Sequence, residues 1–191
     1  MKKHIITSIL YTVVTAVLLG IAYPLAITAM AKVMFPKQAN GSLITRADGT
    51  VIGSRLIGQT FAGPGYFWSR PSAAGTGYDA SASGGSNYAP TNAALATRVK
   101  STVDTLNPKG ANAAVPIDLA TASASGLDPD ITPAAAYYQV ARVATERKMS
   151  EDTVRALVAA HVTPRQFGLL GEPRVNVLGL NLALDDVAPK K

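Results

Sequence analysis

Residues 5–31 are 27 consecutive positions without Asp, Glu, Lys or Arg, bracketed by Lys2 and Lys3 before and Lys32 after. As a helix rising 1.5 Å per residue, the run is roughly 40 Å long, enough to cross the roughly 30 Å hydrocarbon core of a bilayer with some tilt. The pattern predicts one membrane span. Ser8, Thr12, Ala16 and Gly20 recur at every fourth position and place small side chains on one slowly turning stripe. Such a stripe lets a second helix approach closely in lipid, so it is read as a helix-packing surface. Pro24 is expected to kink the span or mark its last regular turn. A rival reading is a cleaved signal peptide, with Ala29, Met30 and Ala31 as the small-x-small site. A signal core runs about 7 to 15 residues, so the length favours an uncleaved anchor.

Beyond the span the period changes repeatedly. β-branched residues on both sides of Asp48–Gly49 predict a hairpin over 42–57. Asn92 opens an amphipathic helix that Asn107 and Pro108 end, with Gly110 just beyond. Val115, Ile117 and Leu119 alternate and predict a short strand over 115–122. Thr132 and Pro133 start a helix to about Lys148 with Tyr137, Val140, Ala141 and Ala144 on its buried face and Arg142 and Arg147 outside or near its end. Ser150 caps another helix, ending at His161, which reads as a helix-end histidine with a local hydrogen bond. Thr163 and Pro164 predict a further short helix. Leu178, Leu180, Leu182 and Leu184 alternate with Gly179, Asn181 and Ala183, which predicts a buried strand over 174–184 and a polar, frayed tail from Asp185. The sum is a mixed α/β (α+β) soluble domain, 36–191, anchored by one N-terminal transmembrane helix, 1–35.

Between 63 and 90 the chain is dense in Gly, Ser and Pro yet carries Tyr66, Phe67, Trp68, Arg70 and Tyr78. Disordered segments are poor in aromatics, so this stretch reads as an ordered loop with Tyr66, Phe67, Trp68 and Arg70 as partner-contact residues. Ser83, Gly84, Gly85, Ser86 and Asn87 form a Gly-Gly turn that could direct backbone N–H groups at a phosphate, though a plain tight turn satisfies the same pattern.

Composition removes several chemistries. The 191 residues include 18 Lys and Arg, 12 Asp and Glu, and no cysteine. Setting aside Lys2, Lys3 and Lys32 leaves 15 basic residues against 12 acidic, dispersed without a basic cluster, so nucleic acid is not an expected partner. Disulfides, thiolate metal sites and cysteine nucleophiles are excluded. No GxxxxGK[ST] loop is present, so the chain is not an autonomous P-loop ATPase. Asp128 and Asp130 offer too few oxygens for calcium, and no metal site is expected. No catalytic residue is assigned. An alternative, a membrane-anchored periplasmic enzyme, would use Ser125, Asp128 and His161; another is a binding module released by cleavage at Ala31. Two lysines and a histidine precede the span against Lys32 and Lys37 after it, a slight bias that places the N-terminus in the cytoplasm and the domain in the periplasm or outside the cell.

GQTF at 58–61, YFWSRPSA at 66–73, SGGSN at 83–87, PTN at 90–92, SGLDPDITP at 125–133 and GEPRVNVLGLNLALD at 171–185, behind an N-terminal span, resemble the C subunit of the bacterial Kdp potassium-transporting P-type ATPase. The likeness covers nearly the whole chain, with Asp130 standing where His or Asn is expected. It implies a non-catalytic accessory subunit of a high-affinity potassium uptake pump in the bacterial inner membrane. Its partners would be a potassium-channel-like subunit and a P-type ATPase subunit, with the lipid around them. It also implies complex assembly and a catalytic-chaperone role that raises the ATP affinity of the hydrolysing subunit, with SGGSN as the nucleotide contact. ATP is then the one cofactor implied. These expectations conflict, because a cytoplasmic N-terminus puts SGGSN on the side of the membrane away from cytosolic ATP.

Overall fold

The computed structural model describes residues 1–107 and 114–187. Pro108, Gly110 and the last four positions of the tail lie outside these. Two compact units emerge, Met1–Ile52 and Gly53–Lys191.

In the first unit the apolar run is helical from end to end. Helix α1 (Lys2–Val17) passes through a π turn (Leu18–Ala22) into α2 (Tyr23–Met34). Together they form the one helix among the described residues that is long and apolar enough to cross a membrane, Lys2–Met34. The π turn has a local cause: Pro24 brings no N–H for the carbonyl four residues earlier, and its ring crowds that turn. Gly20, within the turn, has open space around it. The Ser8 hydroxyl donates to the His4 carbonyl at 2.8 Å, so that polar group is satisfied within the helix, as hydrocarbon requires. After α3 (Pro36–Ala39), strands β1 (Leu43–Thr45) and β2 (Val51–Ser54) pair around the Asp48–Gly49 turn, where Gly49 has φ 83°.

The second unit is built on three helices, α6 (Pro133–Arg147), α7 (Glu151–Ala160) and α8 (Val177–Val187). Ala135, Ala136, Val140, Val143 and Ala144 of α6 meet Val154 and Val158 of α7 and Val177, Leu180 and Leu184 of α8. A three-stranded antiparallel sheet closes one side, in the order β3 (Asp130–Ile131), β5 (Arg174–Asn176), β4 (Val162–Thr163). Ile131 and Val162 both pair with Val175, which carries the sheet into the core. Caps fall where side-chain chemistry places them. Asn92 accepts from Ala94 at the start of α4 (Ala93–Leu106), Thr132 from Ala135, and Ser150 from Thr153.

Five expectations are corrected. Residues 115–122 hold a short helix, α5 (Ile117–Ala120), because the Thr121 N–H closes back on the Ile117 carbonyl at 2.9 Å. The run from 174 is strand only to Asn176 and then helix. Val177, Leu178, Asn181 and Leu184 are buried at helical spacing, and the Asn176 side chain accepts the Gly179 N–H at 3.0 Å to start the turn. Asp185 belongs to that helix rather than to a frayed tail. No helix starts at Thr163 and Pro164; β4 runs into a tight turn at Phe167 and Gly168, both at positive φ, which a helix does not accept. Ala141 is exposed, and its place in the α6 core is taken by Gln139 and Val143.

Candidate functional site

The Gly-, Ser- and Pro-rich stretch from 59 to 87 has almost no regular structure, yet its backbone is pinned by side chains from the helices behind it. Phe67 donates its N–H to Asn181 Oδ1 at 2.8 Å, and its carbonyl accepts from Asn181 Nδ2 at 2.9 Å. Trp68 repeats the pattern with Gln139, at 2.8 and 3.1 Å. Two buried amides thus stand in for neighbouring strands. Both are 2% exposed, so water cannot substitute for them.

Two arginines of α6 clamp the same stretch. Arg142 lies over the Trp68 ring, 3.7 Å from its centroid, and donates to the carbonyls of Pro64 and Tyr66 and to Gln139. Burial lowers its pKa to about 10, which leaves it cationic at neutral pH. Arg147 lies over Tyr66 at 4.5 Å, donates to Gly65 O at 2.7 Å, and forms an ion pair with Asp185 at 2.7 Å. The Tyr66 hydroxyl donates to the other Asp185 oxygen at 3.1 Å. Planar guanidinium groups suit this combination of stacking and forked donation.

These contacts place the expected partner-contact residues. Phe67 is fully buried in the core and is therefore unavailable to a partner, which corrects the expectation for that side chain. Tyr66 and Trp68 are half-buried beneath their arginines. Arg70 pairs with Asp128 at 3.0 Å and reaches the carbonyls of Thr121 and Ala122. Tyr78 donates to the Arg70 carbonyl, and burial raises its phenol pKa. The aromatic run binds this chain to itself. Sequence reading missed Gln139, Arg142, Arg147, Asn181 and Asp185. A polar residue within an apolar stripe, as at Gln139 and Asn181, was the available signal.

A phosphate cradle needs several N–H groups turned to open space. In 83–87, Gly84 instead donates its N–H to Ser125 O at 2.9 Å, and the Ser83 hydroxyl donates to the same carbonyl. A Cβ on Gly85 would lie 3.1 Å from Ala124 O, so the turn is pressed against 123–126. Gly126, at φ 67°, completes the fit, since a Cβ there would come within 2.7 Å of Ala74 N and Gly84 O. A nearby cation is Arg98, which donates to Ser86 at 3.2 Å and faces the Tyr88 ring; its buried Nε has no acceptor among the described residues. One arginine beside a closed turn does not fit a triphosphate, and the residues present do not make a nucleotide loop.

A cleft of about 250 Å³ gathers Arg70, Asp118, Asp128, Asp130, Thr132 and Arg174. Each carboxylate in it is engaged: Asp118 by the N–H and hydroxyl of Thr132, Asp128 by Arg70, Asp130 by Arg174 and Asn176, and Glu172, which also lines it, by Arg165. Among the described residues no group of three or more His, Asp or Glu could hold a metal ion. Ser125 Oγ accepts from Leu127 N, and His161 Nδ1 lies 2.8 Å from Leu157 O at the end of α7, so Ser125, Asp128 and His161 are each held by a separate partner. The structure does not assemble them into a relay.

Comparison with known proteins adds a likeness along the whole chain. The family model described as KdpC, the K+-transporting ATPase c chain, matches residues 5–186. The potassium-transporting ATPase KdpC subunit of Koribacter versatilis is 61% identical over 189 residues, 99% of this chain and 97% of that protein. The KdpC subunit of Acidobacterium capsulatum is 61% identical over 185 residues, 97% and 99% of the two chains. That of Gemmatimonas aurantiaca is 56% identical over 190 residues, 98% and 95%.

Proposed function

Since the chain belongs to the KdpC family, the c chain of the K+-transporting ATPase, we propose that it is a non-catalytic subunit that holds the pump together from one anchored helix and one outward-facing domain. The potassium-channel-like and P-type ATPase subunits are its partners, and the inner membrane is its location, with the N-terminus in the cytoplasm. The observation that carries this reading is how the polar groups are spent. In the cleft Arg70 pairs with Asp128 and Arg174 with Asp130, while Ile9, Leu10, Val14, Leu18 and Leu25 of the span stand open for lipid or another helix. A domain that consumes its own charges in fixing its loops is suited to scaffolding, not to proton or group transfer.

Any rise in the ATP affinity of the hydrolysing subunit then comes from the assembled state, not from contact between ATP and Ser83, Gly84, Gly85, Ser86 or Asn87. Linkage permits this, because a subunit that favours the binding-competent conformation raises affinity without touching the ligand. The absence of native cysteine gives a direct test of orientation. A cysteine in place of the exposed Ala82, beside the glycine turn, is expected to react with a membrane-impermeant maleimide from the outer face of intact inner-membrane preparations. Labelling from the cytoplasmic face alone would overturn the orientation and restore a direct nucleotide contact as the better account.

A further inference from the structure

Among the described residues outside the apolar helix, the large hydrophobic side chain most open to solvent is Phe167, 89% exposed, and its close neighbours Leu169 and Leu170 are exposed as well, at 75% and 55%. These three lie within four positions at the tip of the connection between β4 and β5. The tip is built tightly. Gln166 and Leu170 exchange both backbone hydrogen bonds at 2.9 Å, and Gly168 and Leu169 donate back to Arg165 and Gln166 at 3.1 Å. Below the tip Arg165 Nη2 meets both carboxylate oxygens of Glu172, at 2.7 and 2.6 Å, and closes the base.

Phe167 sits at φ 56° and Gly168 at φ 74°. A turn of this kind ordinarily takes Asn, Asp or Gly at both positions. A phenylalanine in the left-handed region costs roughly 1–2 kcal/mol, and burial of its ring within this chain does not offset it. Strain held without local compensation points to a use elsewhere. We infer that Phe167, Leu169 and Leu170 form a preorganised apolar finger that seats in an apolar pocket on another subunit of the same ATPase. The inference rests on the reading of this chain as a pump subunit.

Protein, not lipid, is the occupant that the charges favour. Attachment to an anionic membrane surface draws on basic side chains near the apolar tip, and here the adjoining Arg165 is neutralised by Glu172. A neutral, rigid turn with one aromatic and two leucines has instead the makeup of an interface anchor, where preorganisation lowers the cost of ordering on binding.

The test places p-benzoylphenylalanine at position 167 of the full-length chain, made together with the rest of the pump and irradiated in native membranes. A covalent adduct to another pump subunit is expected. An adduct to lipid, an adduct to a second copy of this chain, or no adduct would each overturn the finger. Affinity purification through a tag on the same chain, without irradiation, separates the two levels. If pump subunits co-purify and position 167 gives no subunit adduct, the finger fails and the subunit reading stands; if none co-purify, the subunit reading itself fails. In parallel, Phe167→Ser with Leu169→Ser is expected to lower retention of the chain on the pump by about tenfold while leaving its own thermal midpoint unchanged. Full retention would also overturn the proposal.

Discussion

Asn181 and Gln139 occupy positions that the surrounding pattern reserves for hydrocarbon, and each uses both ends of its amide on one residue of the aromatic run. The chemistry explains the placement. Phe67 enters the core as a loop residue, so its N–H and carbonyl are buried without a strand to receive them, and leaving either unpaired costs about 1–3 kcal/mol. Asn181→Leu keeps the volume and removes both partners, so we expect a loss of at least about 2 kcal/mol in unfolding free energy, read from thermal or denaturant unfolding of the solubilised chain. An unchanged midpoint would mean that a shifted backbone replaces the amide. Neither residue was legible as a site from the sequence. An aromatic-rich loop shows that something must order it, whereas the groups that do so lie 71 and 114 positions away.

At the scale of elements, the sequence was readable where a side chain acts on its own neighbourhood. Asn92, Thr132 and Ser150 cap the helices that follow them, and Asp48–Gly49 turns the hairpin. It was ambiguous where two periods share the same residues. In 177–184 the leucines satisfy alternation, while Val177, Leu178, Asn181 and Leu184 equally satisfy a helical stripe. Asn176 decides between them, because its side chain accepts the Gly179 N–H and so opens a helical turn where a strand would continue. Its Nδ2 also donates to Arg55 O and Asp130 Oδ1, both at 3.0 Å, so one side chain ends β5, starts α8 and ties both to β3 and to the turn after β2. Asn176→Ala should cost about 1 kcal/mol from the lost cap alone, with faster amide exchange confined to the first turn of α8. Exchange unchanged at Gly179 would show that the cap contributes nothing. Residues 117–120 are too few to display a helical period, and the alternation of Val115, Ile117 and Leu119 around them imitates a strand.

For the whole molecule, the span and the domain present opposite surfaces. The domain turns the aromatic run at Tyr66, Phe67 and Trp68 onto its own helices, and the apolar helix buries none of its side chains within the chain. Length and lack of charge made the span legible at once; what it packs against is written in shape rather than charge. The π turn at Leu18–Ala22 takes more residues per turn than an α-helix, so it slows the drift of the stripe and keeps Gly20 nearer the face of Ala16. A Cβ at Gly20 meets nothing within 4 Å in this chain, and leucine is the better helix former by nearly 1 kcal/mol. Ala16→Leu with Gly20→Leu should therefore leave the isolated span intact while filling the space a neighbouring helix would use. If the stripe packs against the pump, the doubly substituted chain will still insert in the membrane but will no longer co-purify with the other subunits. Co-purification at the level of the unsubstituted chain would mean that the small residues face lipid and that the domain alone holds the subunit in place.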